Sequence, residues 1–137
     1  FNFSPAKIFM GDVGSTFLGF TLAILAIYYQ NNDHFSILNW LILTSVFWGD
    51  ATYTLMRRLI NKENLSKPHK KHIYQRIVQA GFSHRKTVIW AMAINIFLFL
   101  LVYFSILFPF FIIFFILVGL IFLFSIKKMV DKKNSFV

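Results

Sequence analysis

Three short stretches hold residue types that could do chemistry. The first is Phe9-Met10-Gly11-Asp12-Val13-Gly14-Ser15-Thr16. Gly11 and Gly14 remove side chains on both sides of Asp12, so a ligand can approach the backbone closely. As an N-cap, Asp12 would satisfy free amides of a first helical turn. Capping explains an Asp but not two flanking glycines and a Ser-Thr pair. A carboxylate at a helix N-terminus can also hold a Mg²⁺–phosphate assembly, with the carboxylate on the cation and the helix dipole facing the anion. The second stretch surrounds Asp50. Asp50, Tyr53, Thr54 and Arg57 share a helical face at spacings of 3, 4 and 7. An ionisable group at membrane depth is either a functional site or the partner of a base or hydroxyl on a neighbouring helix. The third is Pro68-His69-Lys70-Lys71-His72-Ile73-Tyr74-Gln75-Arg76. On a helix, His69 and His72 share a face. Zinc would need a further protein ligand. The neighbours Lys70, Lys71 and Arg76 suit an anion, a diphosphate above all. A merely solvated basic loop is the remaining reading.

The elements that must position these residues are membrane helices. The chain has 137 residues, 58% of them apolar and 14% charged, against about half and a quarter in a soluble domain. Mean hydropathy is +0.66. Four runs approach the roughly 20 apolar residues that cross a bilayer: about 13–29, 37–56, 87–107 and 110–126, with Pro109 turning between the last two. The small polar residues early in the first run are expected to pack in protein or line a cavity. The fold class is therefore all-α, a polytopic integral membrane protein. About four transmembrane helices are joined by a loop over about 57–86, and residues 1–137 form a single membrane domain. Within the loop, Lys70 to Val78 has the spacing of a short amphipathic helix lying at headgroup level.

Fourteen Lys and Arg stand against five Asp and Glu, a formal charge of +9. With four spans, every base falls on one side: Lys7 before the first span, nine in the loop, four in the tail. By the positive-inside rule that side is cytoplasmic. The charge excess thus needs no nucleic acid. With no cysteine, the chain has no disulfide framework, thiolate zinc site or cysteine nucleophile. The first residue is Phe and no signal-peptide pattern follows it, so the chain is expected to be part of something longer.

Taken in order, Pro5-Ala6-Lys7-Ile8-Phe9-Met10-Gly11-Asp12-Val13-Gly14-Ser15, Asp50-Ala51-Thr52-Tyr53-Thr54-Leu55-Met56-Arg57-Arg58 and His69-Lys70-Lys71-His72-Ile73-Tyr74-Gln75-Arg76 resemble the polyprenyl-phosphate N-acetylhexosamine-1-phosphate transferases, glycosyltransferase family 4. The resemblance implies a Mg²⁺-dependent enzyme of the bacterial cytoplasmic (inner) membrane, with its active face cytoplasmic. Undecaprenyl phosphate would attack the β-phosphate of a UDP-N-acetylhexosamine, releasing UMP. Asp12 would be the Mg²⁺ ligand, and His69 and His72 would lie over the diphosphate. Substrate contacts are expected from Gly14, Ser15, Asp50, Arg57, Lys70, Lys71, Tyr74, Gln75 and Arg76. Many members carry further histidines in this loop; here Tyr74 and Gln75 stand in those places, a form similar to the O-antigen-initiating branch. The family's paired-aspartate and Asn-rich Asp-Gly motifs do not occur, so the chain looks like a C-terminal part that is inactive alone. The competing reading is a non-catalytic membrane module or part of a transporter, with Asp50 at a midplane site. The oligomeric state, a homodimer among the options, stays open.

Overall fold

A computed structural model describes residues 10–32 and 35–134. Lys7, with the other residues before Met10, and the turn at Asp33 and His34 lie outside the described residues. Every regular element of the described chain is a helix: α1 (Gly11–Asn31), α2 (Ile37–Ile60), α3 (Ile73–Gln79), α4 (His84–Leu107), a 3₁₀ turn (Pro109–Phe111) and α5 (Ile112–Lys133). Two compact units are present, residues 1–41 and 42–137.

In the first unit, α1 is apolar along most of its length and largely exposed. Val13, Phe17 and Phe20 stand out, as suits a helix whose solvent is lipid. Of its small residues, expected to pack in protein or line a cavity, Thr16 lines an open cavity with Asp12, Val13, Phe17 and Phe20. Among the described residues nothing approaches Gly19, and only the flexible Met10 side chain stands near Gly14. The Gln30 side chain accepts the Ile37 amide at 2.5 Å, so the end of α1 caps the start of α2.

In the second unit, α4 and α5 run antiparallel about the turn at Pro109. Gly119 lets α5 approach Leu98 and Leu101 of α4, and the Phe97 and Phe122 rings meet at 4.3 Å between centroids. Leu98 and Val102 are buried there. The short α3 packs on both α4 and α5.

Among the described residues three helices, not the four expected, are long and apolar enough to cross a membrane: α1, α4, and α5 with its preceding turn. The span expected over 37–56 is present as α2, and its 24 residues reach about 36 Å. Its apolarity is diluted by Thr44, Ser45, Asp50, Thr52, Thr54, Arg57 and Arg58. A second difference is the length of α5. It runs on past the expected end at 126 to Lys133, because Lys and Met continue a helix at little cost. That extension carries Asp131. A third is the amphipathic segment, expected over Lys70 to Val78, which becomes helical only at Ile73 and packs against α4 and α5.

Two helix ends set the loop geometry. After α2, the Glu63 amide donates to the Arg58 carbonyl at 2.9 Å and the Lys62 amide to Leu59 at 3.0 Å. Lys62 adopts φ +55°. This is a Schellman stop with lysine where glycine is usual. After α3, Phe82 bonds Ile77 and Gly81 bonds Val78 in the same pattern, with Gly81 at φ +93°, a conformation that glycine adopts without strain. Ser83 then caps α4, its hydroxyl accepting the Lys86 amide.

Candidate active site

In the first unit, α1 starts at Gly11, whose φ of +67° turns the chain into the helix. Asp12 is therefore in the first turn and is not the N-cap, which is Met10. It carries negative charge where the helix dipole is positive. The Ser15 hydroxyl donates to the Asp12 carbonyl at 3.0 Å. Asp12 is exposed, and among the described residues it has no cationic partner. Such a carboxylate fits one ligand position of a Mg²⁺ that is otherwise bound by water and phosphate oxygens. It does not amount to a protein cage. Among the described residues no group of three His, Asp or Glu side chains is placed to hold a metal ion.

In the second unit, Asp50 is the organising carboxylate. Its Oδ1 accepts the Ile73 amide at 3.0 Å and the Thr54 hydroxyl at 3.3 Å. Its Oδ2 lies 3.2 Å from His72 Nδ1. A side chain of α2 thus satisfies the first free amide of α3 and fixes the imidazole beside it. The Gln75 side chain accepts the His72 amide at 3.2 Å, closing the same turn. His69 precedes α3, and its ring lies 5.0 Å from that of His72. The Tyr74 ring stacks on that of His72, 6.0 Å between centroids.

The two imidazoles differ in hydrogen bonding. His69 Nδ1 accepts the Lys71 amide at 3.4 Å, so the neutral ring carries its proton on Nε2 and presents a donor. Burial, then the charges of Arg58 and His72, hold the His69 ring below the ordinary imidazole range. His72 turns its Nδ1 to Asp50, leaving Nε2 as the nitrogen that Asp50 does not use. Lys71 is tied to Glu63 at 2.8 Å. Chiefly through that bond, the Glu63 carboxyl sits below the usual carboxylate range. Lys70 is exposed and free to turn toward an anion.

The expected face of α2 divides. Asp50 and Thr54 serve α3, whereas Tyr53 and Arg57 turn to α5. Asp131 Oδ2 accepts Arg57 at 2.9 Å and the Tyr53 hydroxyl at 3.3 Å. Lys127 Nζ stands 3.1 Å from the centre of the Tyr53 ring, a cation–π contact. Arg76, expected to face an anion, is 2% exposed and ion-paired to Asp131 Oδ1 at 2.7 Å. That is a correction: as placed, its guanidinium is a structural cation. Gln75 likewise acts on the backbone, through the cap of α3.

Sequence reasoning missed four residues that hold the loop. Arg58, 4% exposed, binds Glu63 and donates to the carbonyls of Asn64 at 2.6 Å and Lys67 at 3.1 Å, folding residues 61–67 over the end of α2. Asp131 and Asn134 bind Arg76. One signal was available: Asp131 is the sole acid among the four lysines of the tail.

The sequence profile of glycosyl transferase family 4 matches residues 1–30. A probable undecaprenyl-phosphate N-acetylglucosaminyl 1-phosphate transferase of Bacillus subtilis is 44% identical over 91 residues, covering 65% of this chain and 25% of that protein. A decaprenyl-phosphate N-acetylglucosaminephosphotransferase of Mycobacterium leprae is 33% identical over 101 residues, 64% of this chain and 25% of the relative. An undecaprenyl-phosphate alpha-N-acetylglucosaminyl 1-phosphate transferase of Escherichia coli K12 is 34% identical over 85 residues, 61% and 23%. The chain spans about a quarter of the length of these relatives. No solved structure matches it. With a glycine-flanked aspartate opening α1 and a histidine pair anchored on Asp50, the chain is similar to glycosyl transferase family 4 over residues 1–30 and to N-acetylglucosamine 1-phosphate transferases over about two thirds of its length.

Proposed function

We propose that this chain forms part of an enzyme that transfers an N-acetylhexosamine 1-phosphate from a UDP-sugar to a polyprenyl phosphate, undecaprenyl phosphate in the first instance. A phosphate oxygen of the lipid attacks the β-phosphorus of the donor. The new P–O bond forms as the bond to UMP breaks, and UMP leaves. The observation that carries this reading is the pairing of His69 and His72 at 5.0 Å on a base-rich loop, in a chain whose relatives bear such activities in their names. Phosphoryl transfer relies on positioning and charge neutralisation by several groups together. His69 Nε2–H and Lys70 supply donors to a diphosphate, and His72 adds one from Nε2 when its ring carries both protons. In the first unit, Asp12 would hold Mg²⁺, whose charge suits phosphoryl oxygens. The donor is of the UDP-N-acetylhexosamine class, and the product feeds O-antigen or another envelope polysaccharide. The loop faces the cytoplasm from the inner membrane, the side that collects all fourteen bases when α2 also crosses.

The alternative of a transporter with Asp50 as a midplane ion site is disfavoured, because the Asp50 carboxylate is occupied by His72, Ile73 and Thr54. The test is an assay of the complete transferase containing these residues, with UDP-N-acetylhexosamines and undecaprenyl phosphate. Mg²⁺-dependent release of UMP with formation of a lipid-diphospho-sugar is expected. Absence of product with every such donor, from a folded preparation, overturns the reading.

A further inference from the structure

We infer that Asp131, with Asn134, is a positioning residue for the loop histidines: from the last turn of α5 it holds α3, through Arg76, so that His72 stays on Asp50. The inference rests on the function proposed above only in giving His72 a role in turnover.

The need for a clamp follows from the length of α3. Seven residues are too few for an isolated helix to be stable in water, so tertiary partners must fix it. Its N-terminal end is held by Asp50. Its other end is held by α5. Arg76 pairs with Asp131 Oδ1 at 2.7 Å, and Arg76 also donates to the Asn134 carbonyl. In return, Asn134 Nδ2 donates to the Arg76 carbonyl at 3.2 Å and to the Gln79 side chain at 3.4 Å. Lys133 reaches the Phe82 ring just beyond, 4.6 Å from its centre. The grip is thus continuous along the C-terminal half of α3.

Asp131 is more than one contact among these. Its single carboxylate answers two guanidiniums, Arg57 of α2 and the buried Arg76 of α3. Losing its charge removes the carboxylate that answers a nearly dry guanidinium, a far worse loss than that of an exposed pair. The hold of α5 on α3 is thereby weakened. Arg76 follows His72 by one helical turn, and its amide bonds the His72 carbonyl at 3.0 Å. A shift of α3 therefore moves the imidazole directly.

The test is a double-mutant cycle in the complete transferase, crossing Asp131→Asn with His72→Ala and reading turnover together with amide exchange of α3. Asp131→Asn is expected to speed exchange of residues 76–79 while α4 stays protected, and to lower kcat roughly ten- to a hundredfold, the usual consequence of an ångström-scale misplacement. In the His72→Ala background the same change should alter turnover by at most about twofold, because independent effects would add and these share one route. Asp131→Glu keeps the charge and should restore α3 protection and most of the turnover. Should Asp131→Asn fail to fold, Asn134→Ala removes only the side-chain ties and serves as the milder arm, with a smaller change of the same pattern. Additive losses in the cycle, or unchanged exchange of α3, overturn the clamp. A His72→Ala protein with normal turnover overturns instead the function on which it rests.

Discussion

The opening turn of α1 and the loop between α2 and α4 hold the chain's two sets of chemical residues, and they treat charge in opposite ways. Asp12 is exposed, and among the described residues no cation answers it. In and around the loop every carboxylate is engaged: Asp50 of α2 with His72, Glu63 with Arg58 and Lys71, Asp131 of α5 with Arg57 and Arg76. A carboxylate left unpaired at a helix N-terminus is available to a ligand. One that is paired on several sides is committed to architecture. The first kind can be removed with little damage to the fold, and the second cannot.

The largest expected effect breaks the first side of this contrast. Asp12→Asn keeps shape and removes charge, and it touches no cap, since Met10 holds that position. Stability should change by at most about 0.3–1 kcal/mol, the worth of a charge on a helix dipole. Turnover of the complete enzyme should fall by about a hundredfold or more if the charge serves Mg²⁺ and phosphoryl transfer. Melting and turnover, measured on one preparation across a Mg²⁺ titration, check both; near-normal turnover would refute the metal assignment.

Next come the histidines. His69→Ala and His72→Ala each remove a hydrogen bond to a charged ligand, worth about 1.5–3 kcal/mol, which corresponds to about ten- to a hundred-and-fifty-fold in rate. The Mg²⁺ dependence should keep its midpoint. Rescue by added zinc would revive a metal role for the pair.

Asp50→Ala should behave as an architectural loss. It strands the Ile73 amide and frees His72, with a local cost of about 1–3 kcal/mol for the unsatisfied group. Amide exchange in α3 should quicken while α4 and α5 stay protected. Uniform quickening across all three would show that Asp50 supports the whole unit and not the loop alone.

The smallest effect sharpens the contrast through pH. Glu63 titrates below the ordinary carboxylate range in the folded loop, so it contributes stability above that range, lost as pH falls through the folded value. His69 lies below the imidazole range; its share is likewise present above the ordinary imidazole value and lost on acidification. Both signs agree: the loop loosens in acid. Exchange of residues 61–72 should rise first below the imidazole range and again below the carboxylate range. In Glu63→Gln the second rise should be missing, and its persistence would contradict the assignment.

Much of this was legible in the residues themselves. The apolar runs foretold α1, α4 and α5, because a bilayer demands continuous apolarity and internally bonded backbone. Glycines around Asp12 and two histidines among lysines marked the chemical stretches, since such choices are costly or pointless in a lipid-facing helix. What the chain order could not disclose is which charges are spent on each other. Arg76 and Lys70 look alike on paper, yet one is buried against Asp131 and the other is exposed. Asp50 and Asp131 are 81 positions apart, and both are needed to hold one seven-residue helix. Those pairings arise only when α5 runs past its apolar stretch and returns its last turn to α3. Electrostatic partnership depends on distance and burial, and both are properties of the folded packing, whereas hydrophobic length is a property of the chain.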